Sequence, residues 1–172
     1  FNNNHAPDLW LEEGAAQFAE RLNDYGGKIG TTFEFAARPE TQLNTWEESS
    51  AGANGAHYGG GYLFWSYLYD RFGEDVIKKL ARSPERSEQA FIRVLTEEGV
   101  TNPDTSKPFT FEELFADFVV ANYMNKTKIE PEGNRYNYAS ISVPPMAERA
   151  NYNANDYPLD VNDTLPQFGT HY

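Results

Sequence analysis

The chain has 172 residues, 14 Lys and Arg against 26 Asp and Glu, and a formal net charge of -12. With 40% hydrophobic and 23% charged residues it has the composition of one soluble globular domain, or of part of a larger one. So acidic a surface repels phosphate backbones and excludes nucleic acid as a partner; no apolar run approaches the roughly 20 residues of a membrane span; and with no cysteine, disulfides and thiolate metal sites are excluded.

The opening "FNNN" lacks an initiator Met, and the chain reads as an internal window of a longer polypeptide, so a missing leader is uninformative. The first predicted helix follows. Pro7 suits its first turn and Asp8 the positive end of its dipole. Leu11, Ala15, Phe18, Leu22 and Tyr25 recur at helical spacing, and Gly26 and Gly27 stop it. Residues 26 to 56 read as a long connection, with a short helix expected over "PETQLNTWEE".

A second strong helix is expected from about Tyr58 to Phe72, apolar almost all round and therefore central. Its "GGG" costs roughly 1 kcal/mol per residue relative to Ala. The usual compensation is close approach of another backbone or a ligand. "EDVIKKLARS" and "SEQAFIRVLTEEG" read as shorter helices, the second ending at Gly99. Thr110 and Glu113 form a capping box that opens "FEELFADFVVANYMN". After Lys126 prolines break any helix, "YNYASISV" reads as an extended strand, and "LPQFGTHY" as the start of another. The expected organisation is a helical unit over 1–126 and an irregular, Tyr-, Asn- and Pro-rich wrap over 127–172.

Glu12 and Glu13 stand side by side just before Gly14. Periodicity puts Glu13 nearly opposite the Leu11, Ala15, Phe18 and Leu22 stripe, so a solvated polar face is the default reading. Leu9 and Ala16 flank it, however, and Gly14 costs helix stability, which fits a second helix packing there. Neighbouring helical residues diverge by roughly 100°. The two carboxylates therefore cannot face one glycosidic bond across about 5 to 9.5 Å. None of His5, His57 and His171 shows H-x-x-x-H or H-x-H spacing. A catalytic zinc site needs three protein ligands and an open position. His5 or His57 could join Glu13 only through the fold. No G-x-S-x-G elbow suggests a nucleophilic serine.

Trp10-Leu11-Glu12-Glu13-Gly14 resembles the W-L-x-E-G segment of gluzincin zinc metallopeptidases, and "HYGGGYLFWSYLYDRFG" resembles their downstream helix. The opening "FNNN" and the order of these motifs are most similar to secreted bacterial peptidases of the hyicolysin type and their immune-inhibitor-like relatives. The resemblance covers most of residues 1 to 126. It implies that Glu13, the glutamate directly before the glycine, is a Zn2+ ligand. It implies that Tyr58 donates to the oxyanion of a tetrahedral intermediate, against the plainer reading of an aromatic at a helix start. The H-E-x-x-H motif of the family, with two further ligands and the general base, is absent from the sequence and is expected upstream of Phe1. Where the family often carries an acidic residue one turn after the ligand, this chain has Gln17.

The resemblance thus implies a mainly α chain, the helical C-terminal half of a zincin-like catalytic domain, leading into a β-rich domain. The parent protein is expected to be a secreted zinc endopeptidase acting on protein or peptide, and this piece alone is expected to hydrolyse nothing. The alternative is a non-catalytic helical module, a degenerate peptidase or a binder of polysaccharide or protein.

Overall fold

The computed structural model describes residues 8–25, 29–46, 54–85, 87–124, 134–158, 160 and 162–172. Among them the protein is mainly helical, with no strand: α1 (Leu9–Leu22), α2 (Ile29–Ala37), α3 (Gly55–Phe72), α4 (Glu74–Arg82), α5 (Gln89–Glu97), α6 (Phe111–Met124) and a 3-10 turn at Ala154–Asp156. Among the described residues no helix is long and apolar enough to cross a membrane.

The helix ends follow from local chemistry. α1 stops at Leu22, before the glycines. Asp24 takes φ 60°, the Tyr25 N–H donates to the Glu20 carbonyl at 3.0 Å, and the Asp24 N–H donates to Arg21 at 3.0 Å. This is the paired-carbonyl termination in which one left-handed residue satisfies the last carbonyls. α5 ends the same way at Gly99, φ 70°, with Val100 N donating to Leu95 O at 2.9 Å. At the start of α6 the Glu113 N–H donates to Thr110 Oγ1 at 3.2 Å, and the Thr110 N–H donates to Glu113 Oε2 at 3.0 Å. The capping box is formed.

α3 is the axis of the fold. From Tyr62 to Leu68 every residue is buried, and Leu63, Phe64 and Tyr67 are wholly so. Phe64 meets Phe91 of α5 at 5.3 Å and Phe118 of α6 at 5.2 Å between ring centroids, both edge to face, and Trp10 of α1 at 5.8 Å. Each such ring moved out of water contributes roughly 1.5–3 kcal/mol.

The glycines of α3 are explained by backbone approach. A Cβ on Gly59 would lie 2.0 Å from the Thr31 carbonyl oxygen of α2, and one on Gly60 3.0 Å from the Phe35 ring. Gly61 faces α1, where a Cβ on Gly14 would sit 2.8 Å from the Gly61 carbonyl carbon. Two helices lie against α3 more closely than any side chain permits. The glycines fall in the second turn because α3 begins at Gly55, earlier than the Tyr58 start expected from the sequence.

Four sequence expectations are corrected. Residues 26 to 56 are not one loop: α2 lies inside them, burying Thr32, Phe35 and Ala36 at helical spacing. The short helix expected over 39–48 is absent from its described part, 39–46, which forms turns; Pro39 ends α2 and Leu43 is drawn into the core. Leu22 and Tyr25 are exposed, so the apolar face of α1 ends at Phe18. "YNYASISV" and "LPQFGTHY" form no strand: Ala139 and Ser140 donate to the Asp70 side chain, and Phe168, Thr170 and Tyr172 make isolated backbone bonds to Leu43, Pro39 and Arg149 instead of a ladder. Pro7, Gly26, Gly27, His5 and the FNNN opening lie outside the described residues.

The C-terminal segment is held by specific side chains. Asp70 of α3 accepts from the N–H groups of Ala139 (2.9 Å) and Ser140 (3.0 Å). The Tyr138 hydroxyl donates to Asn122 Oδ1 at 2.6 Å, and the Tyr172 hydroxyl to the Val119 carbonyl at 3.0 Å. Arg135 and Arg71 share the carboxylate of Asp117, all three side chains being at most 9% exposed, and Arg135 also pairs with the exposed Asp104. Tyr138, Val143, Met146 and Phe168 join the one hydrophobic core.

Candidate functional site

Glu13 owes its position to the α1–α3 contact. α1 turns Trp10, Leu11, Gly14, Gln17 and Phe18 inward, and the Trp65 Nε1–H of α3 donates to the Leu11 carbonyl at 3.1 Å. This pins the first turns of α1 beside the start of α3. Glu13 is one step round the helix from Gly14 and emerges half-buried at the edge of that contact. One turn further, Gln17 is buried and accepts a hydrogen bond from the Thr31 hydroxyl of α2 at 3.3 Å. The position held by an acid in the resembling family is thus a neutral amide engaged by α2.

Tyr58 lies in the first turn of α3, its N–H donating to Asn54 O at 2.9 Å. It is half-buried, with the Glu13 carboxylate near its phenol. Burial first, then the charge and acceptor character of Glu13, hold the phenol above its ordinary pKa. It is therefore a protonated donor at neutral pH. Among the described residues Glu13 has no Lys or Arg partner. The periodicity argument placed Glu13 in solvent; the structure puts it at a helix–helix edge against a phenol.

Glu12 points elsewhere, as the 100° step requires. It is exposed at the mouth of a separate apolar groove of about 370 Å³ walled by Leu11, Ala15, Trp65, Leu80 and Phe91.

Two further aromatic residues complete the neighbourhood. Trp46, from the segment after α2, meets the Tyr58 ring edge to face at 4.7 Å and 83°, and the ring of His57 at 6.0 Å. His57 is buried in α3. His171 is in the C-terminal segment, paired with Asp163 (3.2 Å) and contacting Arg149. Among the described residues no group of three or more His, Asp or Glu converges as a metal site. Sequence reasoning passed over Trp46. Its only signal is a lone tryptophan in the connection between the two motif helices.

The arrangement offers one anionic oxygen ligand and one neutral hydroxyl donor facing it. Against family models, curated proteins and solved structures, the chain has no match.

Proposed function

We propose that this chain supplies part of a zinc peptidase centre, with Glu13 as one metal ligand and Tyr58 as the donor to the substrate oxyanion. The observation that supports the reading is the nearness of the Glu13 carboxylate to the Tyr58 phenol at a half-buried helix edge, without a cationic partner for Glu13 among the described residues. A carboxylate neutralised by Lys or Arg would be a poor ligand. One that faces only a neutral phenol has lone pairs free for a cation.

The fit is that of one ligand and not of a full set. Zinc catalysis needs three protein ligands and an open position, and the described residues bring together one. The other two would come from an H-E-x-x-H helix, which this sequence does not contain. The metal, when bound, supplies Lewis acidity and a water acidified towards neutral pH. Tyr58 supplies hydrogen bonding to charge that develops on a substrate carbonyl oxygen. Removing such a donor typically costs 10²–10³ in kcat. The parent protein in this reading is a secreted endopeptidase acting on peptide or protein, and the 172 residues alone are inactive.

The test is Glu13→Ala in the full-length protein, with zinc measured by elemental analysis and hydrolysis of a quenched fluorescent peptide. The expected result is loss of both. Tyr58→Phe is expected to retain zinc and lose about 10²-fold in kcat. Unchanged zinc content and activity in Glu13→Ala refutes the proposal and favours the non-catalytic module.

A further inference from the structure

We propose that Trp46 is a positioning residue for Tyr58, and that the C-terminal residues 166–172 hold the segment carrying Trp46 in place. The inference rests on the reading of Tyr58 as the oxyanion donor.

A tyrosine on a first helical turn has its backbone fixed but its ring free to rotate about two bonds. At Tyr58 the oxygen end lies near the Glu13 carboxylate. The ring is held by Trp46, whose edge-to-face contact at 4.7 Å and 83° is a preferred aromatic geometry. That contact sets how the ring faces and so where the hydroxyl points. Trp46 lies at the margin of the core, only partly buried.

Residues 38–46 belong to no helix, so something else must fix the tryptophan. The turn begins with Thr41 N donating to Arg38 O at 3.0 Å. Leu43 is buried to 2% exposure. Its N–H donates to the Phe168 carbonyl at 3.0 Å, and the Thr170 N–H donates to Pro39 O at 3.0 Å. A Cβ on Gly169 would lie 2.4 Å from the Glu40 carbonyl oxygen, so the two backbones touch. Phe168 itself takes φ 55°, a left-handed conformation unfavourable for a bulky residue. Its ring offsets that cost by packing edge to face on Phe111 at 5.0 Å and Phe115 at 5.2 Å. The left-handed turn aims the Phe168 carbonyl at Leu43 while its side chain anchors on α6. The order of control runs from α6 through Phe168 and Leu43 to Trp46 and then to the phenol.

The experiment uses the full-length protein carrying ring-¹³C-labelled tyrosine, with the Tyr58 signal assigned by its loss in Tyr58→Phe. Trp46→Ala is expected to free the Tyr58 ring, read as faster ring flipping in the line shapes of its ring ¹³C signals. It is also expected to lower kcat on a quenched fluorescent peptide by about 10- to 100-fold, the scale of a misplaced catalytic group, with KM little changed. Trp46→Phe, which keeps an aromatic edge, restores both readouts. Gly169→Val, which forces the tail off Glu40, reproduces the Trp46→Ala line shapes at a distance. Where Trp46→Ala does not fold, Trp46→Leu carries the test, keeping apolar volume without a ring. Tyr58 ring flipping identical in wild type and the ring-less variant overturns the inference whatever the activity. If the flipping changes as expected while Tyr58→Phe hydrolyses at the wild-type rate, the positioning holds and the peptidase reading falls.

Discussion

Replacing Gly14 by Ala adds one methyl group where α1 and α3 touch, and the outcome can be worked from the geometry. On helix propensity alone the change is favourable by about 1 kcal/mol. The new Cβ, however, would lie 2.8 Å from the Gly61 carbonyl carbon, 2.9 Å from its oxygen and 2.9 Å from Trp65 Cδ1. Ordinary contact begins at 3.4 Å, so the shortfall is about 0.6 Å. Two of the three obstacles are backbone atoms. The third belongs to an indole tethered to the Leu11 carbonyl on α1 itself. No rotamer change relieves the clash, so the helices must separate. Overpacking of this kind costs typically 1–3 kcal/mol, and the upper end applies where nothing can rotate away. The net is a loss of about 2 kcal/mol, or about 4–8 °C in Tm for a domain of this size. Urea unfolding followed by tryptophan fluorescence measures it. Gly30→Ala is the control, since a Cβ there meets nothing within 4 Å; it is expected to leave stability unchanged or raise it by roughly 0.5–1 kcal/mol. A Gly14→Ala protein as stable as wild type would refute the reasoning, since propensity would then outweigh the helix contact.

Three other outcomes are expected. Asp117→Ala leaves the buried guanidinium groups of Arg71 and Arg135 without their shared carboxylate and is expected to cost about 3–5 kcal/mol by urea titration, whereas Asp104→Ala, at the exposed end of the cluster, costs far less. Burial holds the phenols of Tyr67 and Tyr138 above the ordinary tyrosine value, so the unfolded chain releases their protons first as pH rises. Stability is therefore complete below about pH 10 and declines above it, and Tyr138→Phe should flatten the decline of the urea-derived stability by about 1.4 kcal/mol per pH unit. Thr110→Ala removes the hydroxyl that caps α6 and should cost about 1 kcal/mol in the same unfolding assay.

Much of the helical frame was legible because the residues that start, stop and bury each helix are close in sequence. Thr110 and Glu113 are three apart, and the apolar run of α3 is continuous. α2 was not legible. Its Ile-Gly-Thr-Thr opening is a poor helix former, and the helix exists because Gly59 and Gly60 let it settle onto α3. The C-terminal segment was read as strand in part because alternation says nothing about partners. Its backbone is met by the Asp70 side chain and by isolated backbone bonds to Pro39, Leu43 and Arg149 instead. At the site, Glu13 and Tyr58 were singled out by the resemblance of two motifs and not by periodicity, which sent Glu13 outward. Trp46 belongs to no periodic segment, and its approach to Tyr58 depends on contacts more than a hundred residues away, at Phe168.

The bidentate grip of Asp117 on Arg135 has a consequence for how the chain assembles. A guanidinium leaves water at acceptable cost only once its anionic partner is in place. Asp117 lies on α6 and meets Arg71 of α3 at 2.8 Å and Arg135 at 3.2 Å, so the carboxylate that receives Arg135 is placed by the contact of α6 with α3. Docked without it, Arg135 would be a cation out of water and without its anion. The fastening of this part of the tail is thereby coupled to the packing of the two helices beneath it.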